Sequence, residues 1–359
     1  MFIAASYAGL GFSQPSFADD TIDYAVRMEM NSPSSMTTRA DRGLFTSIAR
    51  VGNRLVAVGE RGRILLSDNN GQSWRQVETP TRVTLTQVRF ASATEGWAIG
   101  QMGIVLHTQD GGLTWVKQFD GLQAGQVMLA AANADISAHG NNTATAANLQ
   151  AAQQTAAAGP NVPFLTILPV TSQNLLLAGA FGMAFSSTDG GISWRSIADN
   201  IPDPSGLHIY DLVQNDGAVF ATGEQGLVLS GSFGGAFSVI ATPFQGSFFG
   251  ALTAPDQSLL VYGLQGTILR SIDGGKDWTQ PVSNVAVGID CGIALQDGGV
   301  LLGDIAGDLL LSHDDGKTFA VTQAAEPVVS VGQAADGSII IAGPLGLERI
   351  SVASLNSGA

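Results

Sequence analysis

The chain repeats itself, and the spacing of the repeat limits what it can build. The boxes LSDNNGQSW (66–74), HTQDGGLTW (107–115), SSTDGGISW (186–194), RSIDGGKDW (270–278) and LSHDDGKTF (311–319) share a hydroxyl, an Asp or Asn, a glycine and a closing aromatic; LSGSFGGAF at 229–237 is a worn copy. Ahead of each box stands an apolar run, Gly-x-x-Gly and a second apolar run. The first glycines are Gly59, Gly100, Gly179, Gly223, Gly263, Gly303 and Gly343. Seven copies about 40 residues apart, with one long step, have the period of a β-propeller blade. A catalytic loop is seldom needed six times, whereas a turn that closes a repeated unit is. The boxes are therefore read as architecture: the Asp accepts backbone N–H bonds, the hydroxyl satisfies its neighbours, and the aromatic packs into the sheet.

Each copy divides into four short strands, as SFFGALTA, LLVYG, TILRSI and DWTQ do at 247–280. Gly-x-x-Gly would join strands two and three, and the box strands three and four. The expected fold is all-β, a single seven-bladed propeller over 19–359. The 45 glycines fit many tight turns, and 45% hydrophobic residues suffice for a large core.

The ends and the long step carry separate expectations. Residues 1–18 read as a secretory signal ending Ser16-Phe17-Ala18, although no basic leader precedes the apolar stretch. An exported, periplasmic or extracellular protein follows from that reading, with no later membrane helix. The seventh copy lacks a box, so its blade lacks an outer strand. TIDYAVRMEM alternates apolar and polar residues, and the period predicts a strand at 22–30 pairing with 347–352 to close the ring. The insertion at about 120–162 is Ala-, Gln- and Asn-rich. It reads as a helix from Asn141 or Asn142 to about Ala158, or as a flexible uncharged loop, on the face of the Gly-x-x-Gly turns.

Charge narrows the partners. The net charge is −14, which disfavours nucleic acid. Residues 1–90 carry +2 and the rest −16, and Arg42, Arg50, Arg54, Arg61 and Arg63 fall close together, as a solvated face or a docking patch. The lone cysteine, Cys291, is in an apolar run and reads as a buried structural thiol. The histidines His107, His139, His208 and His313 show no zinc spacing, and no motif asks for a metal or cofactor.

Two places could carry function. Counting back from each glycine puts Ser47, Gln87, Thr166, Asp211, Gly250, Asp290 and Ser330 on the channel wall. Asp211 and Asp290 there could hold a cation or simply line a wet channel. The second place is the turn face. Its side chains vary while the framework repeats, giving a candidate partner surface of Glu60, Arg61, Arg63, Gln101, Met102, Phe181, Glu224, Gln225, Gln265 and Asp304. Sialidase chemistry would need three converging arginines and a Tyr–Glu pair. Ten of the thirteen arginines precede residue 90, and no tyrosine has a Glu beside it in the chain. A secreted glycosidase with two carboxylates remains the alternative.

Box repeats in seven blades, and GWAIGQMGIVLHTQDGGLTW at 96–115 above all, resemble the photosystem II assembly and stability factor family of cyanobacteria and chloroplasts. The repeats carrying the resemblance cover about 44–352. It implies a non-enzymatic, monomeric propeller scaffold without a cofactor, binding a membrane-protein complex during assembly. The family's cyanobacterial lipid-anchor cysteine has no counterpart here.

Overall fold

The structure is a computed structural model that describes residues 17–202, 205–324, 326–351 and 355. Among the described residues the strands form seven antiparallel sheets, at 45–77, 85–119, 164–196, 209–239, 248–271, 289–323 and 330–350. Sheets five and seven have three strands and the others four. In sheet five the segment after the box contributes only a bridge, Arg270 to Thr279.

The innermost strands are Phe45–Val51, Leu85–Phe90, Phe164–Pro169, Ile209–Asn215, Phe248–Thr253, Ile289–Ala294 and Ser330–Gln333. Each neighbours the next, and the last neighbours the first. This is a propeller arrangement. The second strands are buried on both faces, which is why LVAVG, GWAIG, LLLAG, LLVYG and IIIAG read as unbroken apolar runs. Between sheets one and two, Val56, Leu66, Val88, Ile104 and Trp115 share one core, and the other sheets meet through similar clusters.

The boxes are hydrogen-bonded alike. In RSIDGGKDW, Ser271 Oγ donates to Asp273 Oδ1 at 2.8 Å and accepts from Gly275 N at 2.8 Å. Asp273 Oδ1 also accepts from Lys276 N at 3.1 Å and Asp277 N at 3.0 Å. The boxes beginning at Ser67, Thr108, Ser187 and Ser312 repeat this pattern. A Cβ on Gly316 would lie 2.4 Å from Leu260 Cδ2 of the preceding sheet, so this box glycine is also a packing surface.

Two expectations fail here. The segment 22–30 is not a strand: it belongs to a helix, α1 (Phe17–Asn31). Val26 and Met30, one helical turn apart, pack into the core of sheets one and two, while Tyr24 and Met28 are exposed. The alternating residues satisfied a period of two, but burial follows 3.6. Backbone bonds from Arg82 N to Glu29 O (2.9 Å) and Ser34 N to Thr79 O (3.0 Å) hold the helix and its exit to sheet one.

Strand Gly346–Ile350 pairs only with Ile339–Gly343 among the described residues. Sheets seven and one instead meet through side chains: Ala334, Ile340 and Leu347 against Ile48, Leu55 and Trp74, with Arg349 Nε donating to Asn70 O at 2.9 Å. The expected signal segment, except its last two residues, lies outside the described residues, as does Val352.

The second failure is in sheet six. Its turn is as long as the others, but Asp304 stands at the register position that Gly59 or Gly263 holds, and the 3-10 turn of sheets one to five is lacking. Asp304 is 0% exposed and folds back, accepting from Ala306 N and Asp308 N, both at 2.9 Å. It is therefore removed from the candidate partner surface.

The long step holds two helices, α2 (Gly121–His139) and α3 (Thr143–Ala157). Asp120 caps the first, accepting from Leu122 N and Gln123 N at 3.1 Å each. Asn142 caps the second in a capping box with Thr145. A Cβ on Gly103 would lie 2.6 Å from Gly121 Cα, so the hairpin stands on the turn of sheet two. No helix among the described residues is long and apolar enough to cross a membrane.

Candidate functional site

The turns joining strands two and three give one face of the molecule a common frame. In five of them the second variable residue has a left-handed backbone: Arg61 (φ 57°), Met102 (56°), Phe181 (56°), Gln225 (53°) and Gln265 (60°). That conformation disfavours residues with a Cβ. The following glycine has no alternative at Gly62, where a Cβ would stand 2.0 Å from Thr81 O. Arg61, Gln101, Phe181, Gln225 and Gln265 are exposed and Met102 half-buried.

The basic residues do not form one patch. Arg50 and Arg54 sit at the opposite, box end of the sheet, where Arg54 Nε binds Asp68 Oδ1 at 2.6 Å and Nη1 binds Gly111 O at 3.1 Å. Arg63 is on the turn side but committed: it bridges Glu60 at 3.0 Å and reaches the carbonyls of Ala40 and Arg42. Arg61 is the exposed basic residue of this turn.

The inner strands surround a cavity of about 520 Å³. Its polar wall stitches the sheets together. Ser47 Oγ accepts from Val88 N (3.2 Å), Gln87 Oε1 from Ile167 N (2.8 Å), Thr166 Oγ1 from Leu212 N (3.2 Å) and Asp211 Oδ2 from Ala251 N (3.2 Å). In each pair the acceptor belongs to one sheet and the donor to the next. Asp211 Oδ1 also receives Arg89 Nη2 at 2.6 Å, from two sheets away. Asp211 is thus saturated within the chain, and its part is structural.

Asp290 differs. Most of these strands carry a bulge after their first residue, and the extra residue in sheet six is Asp290; Cys291 takes the position equivalent to Asp211. Burial pushes the Asp290 carboxyl up to about 6, and neighbouring Asp304 acts in the same direction. Asp290 Oδ2 and Asp304 Oδ2 are both buried without a hydrogen-bond partner. Burial also raises the thiol of Cys291, half-buried on the cavity wall, which disfavours the thiolate. Among the described residues no group of three His, Cys, Asp or Glu side chains could hold a metal ion.

A cluster that sequence reasoning missed lies at the mouth of this cavity. The bulge in sheet four turns Tyr210 toward Glu224, fourteen residues away, with Tyr210 Oη donating to Glu224 Oε1 at 3.4 Å. His208 donates its backbone N–H to Glu224 Oε2 at 2.9 Å, and its Nδ1 lies 2.8 Å from the same oxygen. These bonds hold the Glu224 carboxyl below its ordinary range, the backbone donor contributing most. A Tyr–Glu pair therefore exists, contrary to the expectation from the chain. The cavity is lined by two arginines, Arg50 and Arg89, where sialidase chemistry would need three, and by two carboxylates, Asp211 and Asp290, of which Asp211 is paired with Arg89.

The family model described as "Photosynthesis system II assembly factor YCF48" matches residues 65–138. The chloroplastic photosystem II stability/assembly factor HCF136 of Cyanidioschyzon merolae is 43% identical over 47 residues, 12% of this chain and 11% of that protein. The chain thus aligns with far less than two thirds of that relative. The photosystem II assembly lipoprotein Ycf48 of Synechococcus sp. (strain CC9902) is 25% identical over 282 residues, 73% of this chain and 70% of that protein. Among solved structures, "YCF48 bound to D1 peptide" superposes with a TM-score of 0.62 at 17% identity, covering 87% of this chain and 94% of that one, which supports the fold.

Proposed function

We propose, from the chain's place among photosystem II assembly factor-like propellers, that it is an exported, non-catalytic scaffold that binds a segment of a membrane-protein complex during assembly. In this reading the seven sheets are the blades of one closed ring, and the turn face is the working surface.

The observation that carries the proposal is the contrast between frame and display. The turns repeat one backbone, holding five non-glycine residues at positive φ, yet present Arg61, Met102, Phe181, Gln225 and Gln265 in turn. Such positions cost energy and tend to persist where the displayed side chain is used. Phe181, 63% exposed, offers an apolar anchor, while Arg61, Gln101, Gln225 and Gln265 form a polar rim. Glu60 and Arg63 hold the rim of the first turn, and Glu224 that of the fourth. The helical hairpin beside them widens the same surface. A relative named as a lipoprotein and another captured with a peptide of D1 agree with export and with a peptide segment as guest.

The test is affinity capture from the native envelope followed by mass spectrometry. A variant carrying Arg61→Glu and Phe181→Ala is expected to lose the partner, while one carrying Gln72→Ala and Lys276→Ala on exposed box positions keeps it. The reverse result would put the working surface on the other face.

A further inference from the structure

The channel mouth beside sheets four to six has a chemistry different from the rest of the face. Four rings follow one another around it: Phe181 to His208 at 4.9 Å, His208 to Tyr210 at 6.2 Å and Tyr210 to Phe249 at 5.7 Å. The Phe249 ring lies over Gly288, where a Cβ would be 2.9 Å from Cε2. Two residues further along the chain is Asp290. Tyr210, Phe249, Tyr262 and Asp290 line the same cavity.

The carboxylate end of this arc is short of donors. Asp290 Oδ2 has no partner, and Asp304, fully buried behind it, keeps an unpartnered Oδ2 as well. Asp304 also raises the carboxyl of Asp308. The cations that line the cavity do not answer this need: Arg89 is held by Asp211 and Leu212 O, and Arg50 lies at the box end. Residues 91–359 carry net −16, so the wider field favours a positive guest.

We infer that this mouth receives the cationic side chain of an arginine or lysine from a partner polypeptide. The aliphatic stem would lie along the Tyr210 and Phe249 rings, and the charged head would pair with the Asp290 carboxylate on the cavity wall, which has Ile305 N as its backbone donor. The inference rests on the scaffold reading and specifies one feature of the segment it binds.

The experiment uses the full chain and two probes, N-terminally fluorescein-labelled Gly-Leu-Arg-Leu-Gly amide and its citrulline counterpart, which keeps the shape and loses the charge. Fluorescence anisotropy is expected to give at least about tenfold tighter binding of the arginine peptide. Asp290→Asn, which keeps the side-chain shape, should reduce that preference to about twofold or less, and Phe249→Leu should weaken both peptides. Equal binding of the two peptides would overturn the inference in favour of an apolar seat. So would a preference unchanged by Asp290→Asn, or no binding of either. Capture of a membrane partner that persists while peptide discrimination fails would overturn this inference and leave the scaffold standing. Discrimination without capture would do the opposite.

Discussion

The pair of Arg89 and Asp211 is the sharpest test of whether the channel is built or merely wet. It reaches across one sheet, from the second to the fourth, at 2.6 Å, with Arg89 Nη1 also on Leu212 O at 2.6 Å. Asp211→Ala removes that charge and the acceptor for Ala251 N and Thr166 Oγ1. Losing one partner of a buried pair costs about 3–5 kcal/mol. Arg89 is 28% exposed and regains some water, so about 2–3 kcal/mol is expected here. Arg89→Met should cost less, about 1–2 kcal/mol, because Asp211 keeps its backbone donor. The double variant should fall short of the sum by about 1–2 kcal/mol. Urea unfolding followed by tryptophan fluorescence measures all three. A cost below about 0.5 kcal/mol for Asp211→Ala, or no coupling in the cycle, would show the pair to be solvent-screened and the stitching argument wrong.

Two further outcomes follow from the same structure. Asp290 has a folded pKa of about 6, above its unfolded value, so its contribution is fully present below about pH 4 and lost as pH rises through 6. Asp290→Asn should therefore leave stability unchanged at pH 4 and add about 1–1.5 kcal/mol at pH 8, roughly half the full linkage value because the group is partly solvated; denaturant midpoints at the two pH values decide it, and a gain at pH 4 alone would reverse the sign. Met30→Ala, in the helix where a strand was expected, should cost about 2–3 kcal/mol of stability through lost core packing, and a neutral result would detach α1 from the core.

What could be read from the chain was what is local. The box hydrogen bonds span four residues, as where Thr318 N donates to Asp314 Oδ1, so the letters and the geometry coincide. Asn142 announced its helix for the same reason. Legibility failed where a residue's role depends on a neighbour set by register. Tyr210 meets Glu224 only because a bulge and a hairpin place them together. The channel wall positions were identifiable, but their purpose was not, since Ser47 and Gln87 bond to strands of the following sheet. In the short segment 22–30, Val26 and Met30 fit both periods, and only the core beside them chooses the helix.

The direction of the channel stitching bears on how such a chain acquires its shape during synthesis. Ser47, Gln87, Thr166 and Asp211 each wait for a backbone donor that lies later in the chain, in the very next sheet. A nascent chain that has made only one repeat holds an acceptor facing water; the arrival of the next repeat both seals it and presents a fresh one. Assembly of the first five repeats can thus proceed as a ratchet from the amino end, each unit presenting an acceptor to its successor beside the core they share. The interface between sheets seven and one relies on side chains such as Ile340 and Trp74, so it is the step that must await the last repeat.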